Sequence, residues 1–443
     1  MGGPFVFALA TGEKSAGGYL FSAAITLFAG FSLYIASAER RLTTDLRSAL
    51  LFVLLWWSVT PLFAALPFAL AGQPFFDGYF EAVSALTTTG GWLSHEAMFE
   101  SEAGILWRAE LEWIGGLASL AIAAAIFVRP AFIGVDTLLP PFSRGDRESY
   151  LRPVRDAVGA FAGVYVLITF FCFGALSFVG VDAFDAVILA LSVVASGGMT
   201  GHPGGVSAYP PLVPAALFPF VLLSGANFVL IARLMKGGLA RARDVETGGY
   251  VMITVGVGAL FWLSAGAHHA GLVADQLFNA ASFLSTNGFV LGEAPPLTVL
   301  MITAIIGGAA VSTAGGFKIL RWLVIMRRAH EEIRRLIEPS GVFGSRRVAN
   351  ELGVWMHFLV FTMTLAALMM VVASGGHSFE IAAATATAIL SNTGPLLALA
   401  EGGENGYGIF GAPIRFILIV GMILGRLEAV AALALFNRAF WRS

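Results

Sequence analysis

Apolar runs of twenty or so residues recur along the chain between short polar stretches. Nine read as membrane-crossing helices: residues 17–38, 44–71, 104–128, 154–180, 212–235, 248–266, 297–326, 353–374 and 411–437. About 20 apolar residues suffice to cross a hydrocarbon layer about 30 Å thick. The second span holds Pro61 and Pro67, where its helix can kink. The seventh carries Gly307, Gly308, Ser312, Thr313, Gly315 and Gly316 within ten residues, and so should unwind partway across. Four shorter apolar stretches lie between pairs of spans, at 77–91, 182–198, 274–289 and 379–395. Each is about half a span long, turns abruptly from apolar to small and hydroxylic, and ends on glycine.

These stretches are copies of one unit. Taking Gly90, Gly197, Gly288 and Gly394 as equivalent, they lie 107, 91 and 106 residues apart, and a near-constant period is the mark of internal repetition. The expected division is an N-terminal extra-helix region (1–43) and four repeats, 44–152, 153–244, 245–350 and 351–443. An acid precedes each glycine by 13, 12, 13 and 14 residues: Asp77, Asp185, Asp275 and Glu380. An acid there suits the N-terminus of a short helix, whose free carbonyls would then point at the glycine segment. The fold class expected is an all-α polytopic membrane protein, with four membrane–pore-loop–membrane repeats around a central cation pore.

The segments themselves read Thr87-Thr88-Thr89-Gly90, Val194-Ala195-Ser196-Gly197, Ser285-Thr286-Asn287-Gly288 and Ser391-Asn392-Thr393-Gly394. Irregular backbone at membrane depth survives only where it lines a cavity or is buried in protein. Glycine permits the dihedrals that turn successive carbonyls to one side. Hydroxyl and carbonyl oxygens can replace the water around an alkali cation. A divalent ion would call for carboxylates, and none falls inside the four segments. Small-residue clusters also serve ordinary helix contacts; four at matched spacing, each with its acid, favour a monovalent-cation site.

Composition supports the membrane reading. Hydrophobic residues make up 57% of the chain and charged ones only 12%, against roughly 25% charge in soluble domains. Mean hydropathy is +0.82. The 52 glycines suit close helix approach and special turns. The single cysteine, Cys172, lies within a span, and no cleavable signal pattern is evident. The net charge of −2 hides a strong asymmetry. Most Lys and Arg fall in loops on one side: Arg40–Arg47, Arg129–Arg155, Arg233–Arg243, Lys318–Arg347 and Arg438–Arg442. The positive-inside rule makes that side cytoplasmic, so the glycine segments enter from outside, as the N-terminus should lie outside. Outer-loop acids such as Glu96, Glu293 and Glu401 would draw cations to the mouth.

FEAVSALTTTGG (80–91), VVASGGM, STNGF and SNTGP resemble the four pore-loop filters of the Trk/Ktr/HKT superfamily of potassium transporters. IIGGAAVSTAGGFKILRW (305–322) resembles that family's intramembrane loop, and MILGRLEAVAALALF (422–436) its C-terminal Trk signature. The likeness covers residues 45–443 and is greatest to the Trk-type (TrkH-like) membrane subunit. It implies potassium as the permeant ion, held at the four segments, with no covalently bound cofactor. It implies a homodimer in the bacterial-type inner membrane, each protomer with its own pore, and a cytosolic nucleotide-binding (TrkA-like, RCK) regulatory subunit docking on the basic loops. In that family a glycine in all four filters accompanies potassium preference. Two departures stand out. The region before the first repeat is short, leaving residues 4–10 as a candidate helix remnant. Asn287 is an amide where hydroxyls are usual.

By the same resemblance residues 307–317, followed by Lys318, form the gating loop. Arg426 sits in an apolar helix, where charge is expensive and is paired or pore-facing. It either holds the loop from beneath the filters or is spent on Glu428 or a carbonyl. His95-Glu96 and His330-Glu331 lack zincin spacing, and hydrolase and nucleotide-binding motifs are absent, so neither an enzyme nor a nucleic-acid binder is expected. A sodium- or proton-coupled secondary transporter is the alternative, since such proteins also use broken helices.

Overall fold

The computed structural model describes residues 1–37, 46–127, 151–237, 245–265, 270–337 and 352–427. Among these, every regular element is helical. A short helix α1 (Gly2–Thr11) precedes the first span, α2 (Ala16–Ser37). Residues 4–10 thus lie within a ten-residue helix. Met1 and Gly3 pack on Glu110, and Glu13 accepts hydrogen bonds from Ser101 Oγ at 2.8 Å and Ala103 N at 3.2 Å.

A helix–half-helix–helix succession follows four times. First come α3 (Leu46–Ala64), α4 (Leu66–Leu70), the half-helix α5 (Phe75–Leu86), a turn α6 (His95–Met98) and α7 (Glu102–Ile122). The second set is α8 (Leu151–Phe178), half-helix α9 (Ala183–Ala195), α10 (Val213–Gly225) and α11 (Phe228–Gly237). The third is α12 (Val245–Ser264), half-helix α13 (Ala270–Leu284), α14 (Leu297–Ile306) and α15 (Ile319–Ile337). The last is α16 (Leu352–Ser374), half-helix α17 (Phe379–Ser391) and α18 (Ala412–Leu427). The half-helices have 12, 13, 15 and 13 residues. At 1.5 Å per residue each reaches only about two-thirds of the way across a hydrocarbon layer about 30 Å thick.

Sequence explains where the half-helices begin. Asp182 Oδ2 accepts from Phe184 N at 3.0 Å and Ser378 Oγ from Ile381 N at 3.2 Å, while Pro74 precedes α5. Asp77, Asp185 and Glu380 occupy first turns as expected. Asp275 does not, because α13 starts at Ala270 and puts it in the second turn. Asp77 serves more than the dipole: its Oδ1 pairs with Arg415 Nη1 at 2.7 Å, tying the first half-helix to the last span.

Three spans depart from simple crossings. The second divides at Ala65, with Pro61 inside α3 and Pro67 in the first turn of α4. The third runs from α7 into a π-helical turn at Ala123–Phe127. The span expected at 212–235 is broken, its two halves meeting at 106°. That break is held by the loop after α14. Phe228 N donates to Val311 O at 2.8 Å, Ala309 N to Gly225 O at 2.9 Å, and Asn227 Oδ1 accepts Val229 N at 3.0 Å. The hydropathy plot cannot show such a bend, because its cause lies more than eighty residues away.

The core is apolar and continuous around the half-helices, whereas α2, α12 and α16 turn large side chains outward, among them Phe28, Met252 and Met363. In water such a surface would be a liability; in lipid it is the solvent-facing side. The chain is an integral, multi-pass membrane protein. Arg40, Arg41, Arg129, Arg144, Arg147, Arg241, Arg243, Arg346, Arg347, Arg438, Arg442, His268, His269 and Glu428 lie outside the described residues.

Candidate functional site

Each half-helix stops in the same way. Thr88, Ser196, Thr286 and Asn392 have φ of 51°, 60°, 59° and 53°, the left-handed turn that ends a helix. One residue later the backbone N–H returns to the half-helix. Thr89 N donates to Ser84 O, Gly197 N to Ser192 O, Asn287 N to Ser282 O and Thr393 N to Ala388 O, all at 2.8–2.9 Å. This pattern fixes the register, and it corrects one expectation. The residue equivalent to Gly90, Gly288 and Gly394 is Gly198, not Gly197. Gly90, Gly198 and Gly288 share φ of 68°, 81° and 77°. The second segment is therefore Ala195-Ser196-Gly197-Gly198, and Val194 belongs to the half-helix. The double glycine at 197–198 made the two registers indistinguishable by spacing alone.

The four segments close into a ring. A Cβ on Gly90 would fall 1.7 Å from Gly197 O, and one on Gly198 would fall 2.0 Å from Asn287 O. Gly288 packs on Pro395, with ring carbons 3.2 Å from its own would-be Cβ, and Gly394 N donates to Thr89 O. First touches second, second third, third fourth, and fourth first. All the polar side chains of the segments are buried.

Most of their hydroxyls are already spent on the wall. Thr87 Oγ1 donates to Val83 O at 2.7 Å, Ser391 Oγ to Thr387 O at 2.6 Å, and Asn392 Nδ2 to Thr89 Oγ1 at 2.9 Å. Asn287 turns its amide outward, to Ser224 Oγ at 3.1 Å and Ser285 Oγ at 2.8 Å. The unusual amide thus braces the third segment from behind. By contrast the carbonyls of the four left-handed residues accept no backbone hydrogen bond among the described residues. Thr88 Oγ1, Asn287 Oδ1 and Asn392 Oδ1 are buried without a donor. The four backbone carbonyls, at equivalent positions, suit a dehydrated monovalent cation.

The loop from Gly307 to Lys318 lies against this ring. Gly307, Gly316 and Lys318 have φ of 73°, 76° and 78°, so the unwinding expected of the glycine run occurs there. The loop touches the second, third and fourth segments directly. Thr313 Oγ1 bonds Ser196 Oγ at 2.8 Å and donates to Val194 O at 3.0 Å. Gly315 N donates to Thr286 Oγ1 at 2.8 Å, and Gly315 packs so tightly on Ser391 O that a Cβ would come within 1.9 Å. Arg426 completes the set, its Nε donating to Thr87 O and its Nη1 to Thr313 O at 2.8 Å. Of the two readings open for this arginine, it bonds carbonyls, and one of those carbonyls belongs to the loop. Ser312 Oγ donates to Ala309 O at 2.7 Å, Lys318 Nζ to Ala314 O, and Gly308 is pressed against Ala314 and Gly225 O. A cavity borders the loop, lined by Gly315, Gly316, Lys318, Arg321, His357 and Arg426.

Sequence reasoning missed three contributors. Glu246 Oε1 accepts Ala310 N at 2.6 Å and Oε2 accepts Asn227 Nδ2 at 3.0 Å, anchoring the loop at the bent helix. Gly115 and Gly116 let α7 lie directly on Leu86 O and Ala195, where a Cβ would clash at 1.7 and 3.0 Å. Glu112, one turn earlier on α7, is fully buried behind the first two segments. None carries a local signal: each is an ordinary residue in an apolar span.

Comparison with known proteins agrees with this architecture. Residues 265–442 match the family model TrkH, described as a cation transport protein. The chain is 28% identical to the Trk system potassium uptake protein TrkH of Escherichia coli (strain K12), over 94% of this chain and 91% of that one. It is 29% identical to the protein of the same name from Halomonas elongata, over 96% and 92%. The crystal structure of the potassium transporter TrkH from Vibrio parahaemolyticus superposes with a TM-score of 0.86 at 26% identity, over 99% of this chain and 95% of that one. With four half-helices closed into a ring and a glycine-rich loop against them, this chain is similar in sequence and fold to the TrkH cation transport proteins.

Proposed function

We propose that this chain takes up potassium across the plasma (inner) membrane through a selective, gated, channel-like pore, as the membrane subunit of a Trk-type system. The observation that carries the reading is the closed ring of four equivalent turns, with free carbonyls at Thr88, Ser196, Thr286 and Asn392. Potassium would shed water on entering the ring and exchange it for these oxygens. No carboxylate lies within the four segments, which favours a monovalent over a divalent ion. The membrane potential supplies the drive, about 2.3 kcal/mol per charge for each 100 mV.

The loop 307–318 is the gate in this reading. It lies across the path below the ring, and Arg426 bridges it to the first filter. The four repeats, each contributing one filter, are the functional units. The filters face outside and the basic loops face the cytoplasm, where a nucleotide-binding regulatory ring would dock; two protomers, each with its own pore, make the assembly.

Purified protein in proteoliposomes should take up rubidium-86 down a potential, with potassium competing better than sodium or lithium. Uptake that requires a co-substrate would overturn the channel-like reading, and absence of any cation flux would overturn the function.

A further inference from the structure

Glu112 is fully buried on α7, and among the described residues no donor meets the hydrogen-bond geometry to either of its carboxyl oxygens. They point at the ring. A Cβ on Gly197 would lie 1.9 Å from Oε2, and one on Gly90 would lie 3.3 Å from Oε1. The side chain therefore fills the space behind the junction of the first and second filters, against their backbones.

The neighbouring groups do not neutralise it. Arg108, one turn away, is paired through Nε with Glu81 Oε2 at 2.9 Å. From α8, Tyr165 donates its hydroxyl to Trp113 O at 3.1 Å. From α9, the Ser192 hydroxyl accepts Met199 N at 2.7 Å and lies beside Glu112 as a neutral group that carries no compensating charge. From α18, Arg426 is directed to Thr87 O and Thr313 O. A carboxylate buried without a partner is expensive unless an opposite charge lies close. The cation that such a ring would hold is the one charge at hand.

We propose that Glu112 is a positioning and affinity-setting residue whose carboxylate balances the cation held in the ring. This rests on the pore reading above. Through the backbones of Gly90 and Gly197 it sets how tightly the filter holds its ion, without touching that ion.

The test compares wild type with Glu112→Gln, which keeps the shape and removes the charge, and Glu112→Asp, which keeps the charge. Two readouts are followed: half-saturating rubidium for uptake by proteoliposomes, and the rubidium concentration that half-maximally raises the melting temperature of detergent-solubilised protein. Both should rise at least tenfold in Glu112→Gln, the lower bound for one charge within about 12 Å at an effective dielectric near ~20. Maximal uptake should stay within about twofold, and Glu112→Asp within about threefold of wild type in both readouts. Unmoved half-saturation in Glu112→Gln, or a fall in maximal rate alone, overturns the proposal, because packing would then be the whole role. If Glu112→Gln does not fold, a tenfold rise in Glu112→Asp overturns it and near-wild-type values support it. Wild type with neither flux nor rubidium-dependent stabilisation overturns the pore reading itself, and this proposal with it.

Discussion

Replacing Arg426 by alanine removes a bridge between the first filter and the loop. Its guanidinium donates to Thr87 O on one side and, at 2.8 Å, to Thr313 O on the other. A hydrogen bond from a charged donor contributes about 1.5–3 kcal/mol. Of the two bonds of Arg426, the one to Thr313 O is made only with the loop seated under the ring, so that amount is what the substitution takes from the seated state. The equilibrium should move toward withdrawal by roughly ten- to a hundredfold. Thr313 also bonds Ser196 Oγ, Val194 O and Ser224 O, so the loop loses one anchor and keeps others. The expected result is a rise of at least tenfold in initial rubidium-86 uptake by proteoliposomes containing equal amounts of folded protein. The preference for rubidium over sodium should hold, because the ring contacts among the segments remain. Uptake within twofold of wild type, from protein that elutes as wild type on size exclusion, would refute the idea that this bridge holds the gate. A fall in uptake would refute it equally.

Other perturbations follow from the same geometry. Gly198→Ala must place a Cβ 2.0 Å from Asn287 O at a φ of 81°, and should abolish uptake while leaving expression measurable by size exclusion. Gly90→Ser meets Gly197 O in the same way; it should push the first and second filters apart and raise sodium permeation relative to rubidium several-fold in competition assays. Glu246→Ala strips Ala310 N and Asn227 Nδ2 of their acceptor, and should raise basal uptake several-fold and lower the melting temperature. Arg415→Ala breaks a partly exposed pair with Asp77. Such pairs contribute about 0–1 kcal/mol, so stability should change little, and less at high salt.

The sequence by itself determined the membrane class, the four half-helices and the positions of the turns that end them to within one residue. Those features are written in local chemistry: span length, an abrupt switch to small hydroxylic residues, and glycine where φ must be positive. It also marked the unwound seventh span, because six small residues in ten cannot hold a helix across lipid. Three things were decided only by tertiary structure. The choice between Gly197 and Gly198 depended on which amide returns to Ser192 O, and spacing is blind to that where glycines are doubled. The sharp bend at Ala226 is stabilised by Ala309 and Val311, whose backbone supplies the partners that the broken helix lost. Glu112, Glu246 and Arg426 each have another charged residue within four positions in the sequence, which does not say what any of them will meet. What separates them is where folding brings carbonyls, amides or nothing at all to meet each charge, because the cost of a buried charge is set by its neighbours in space.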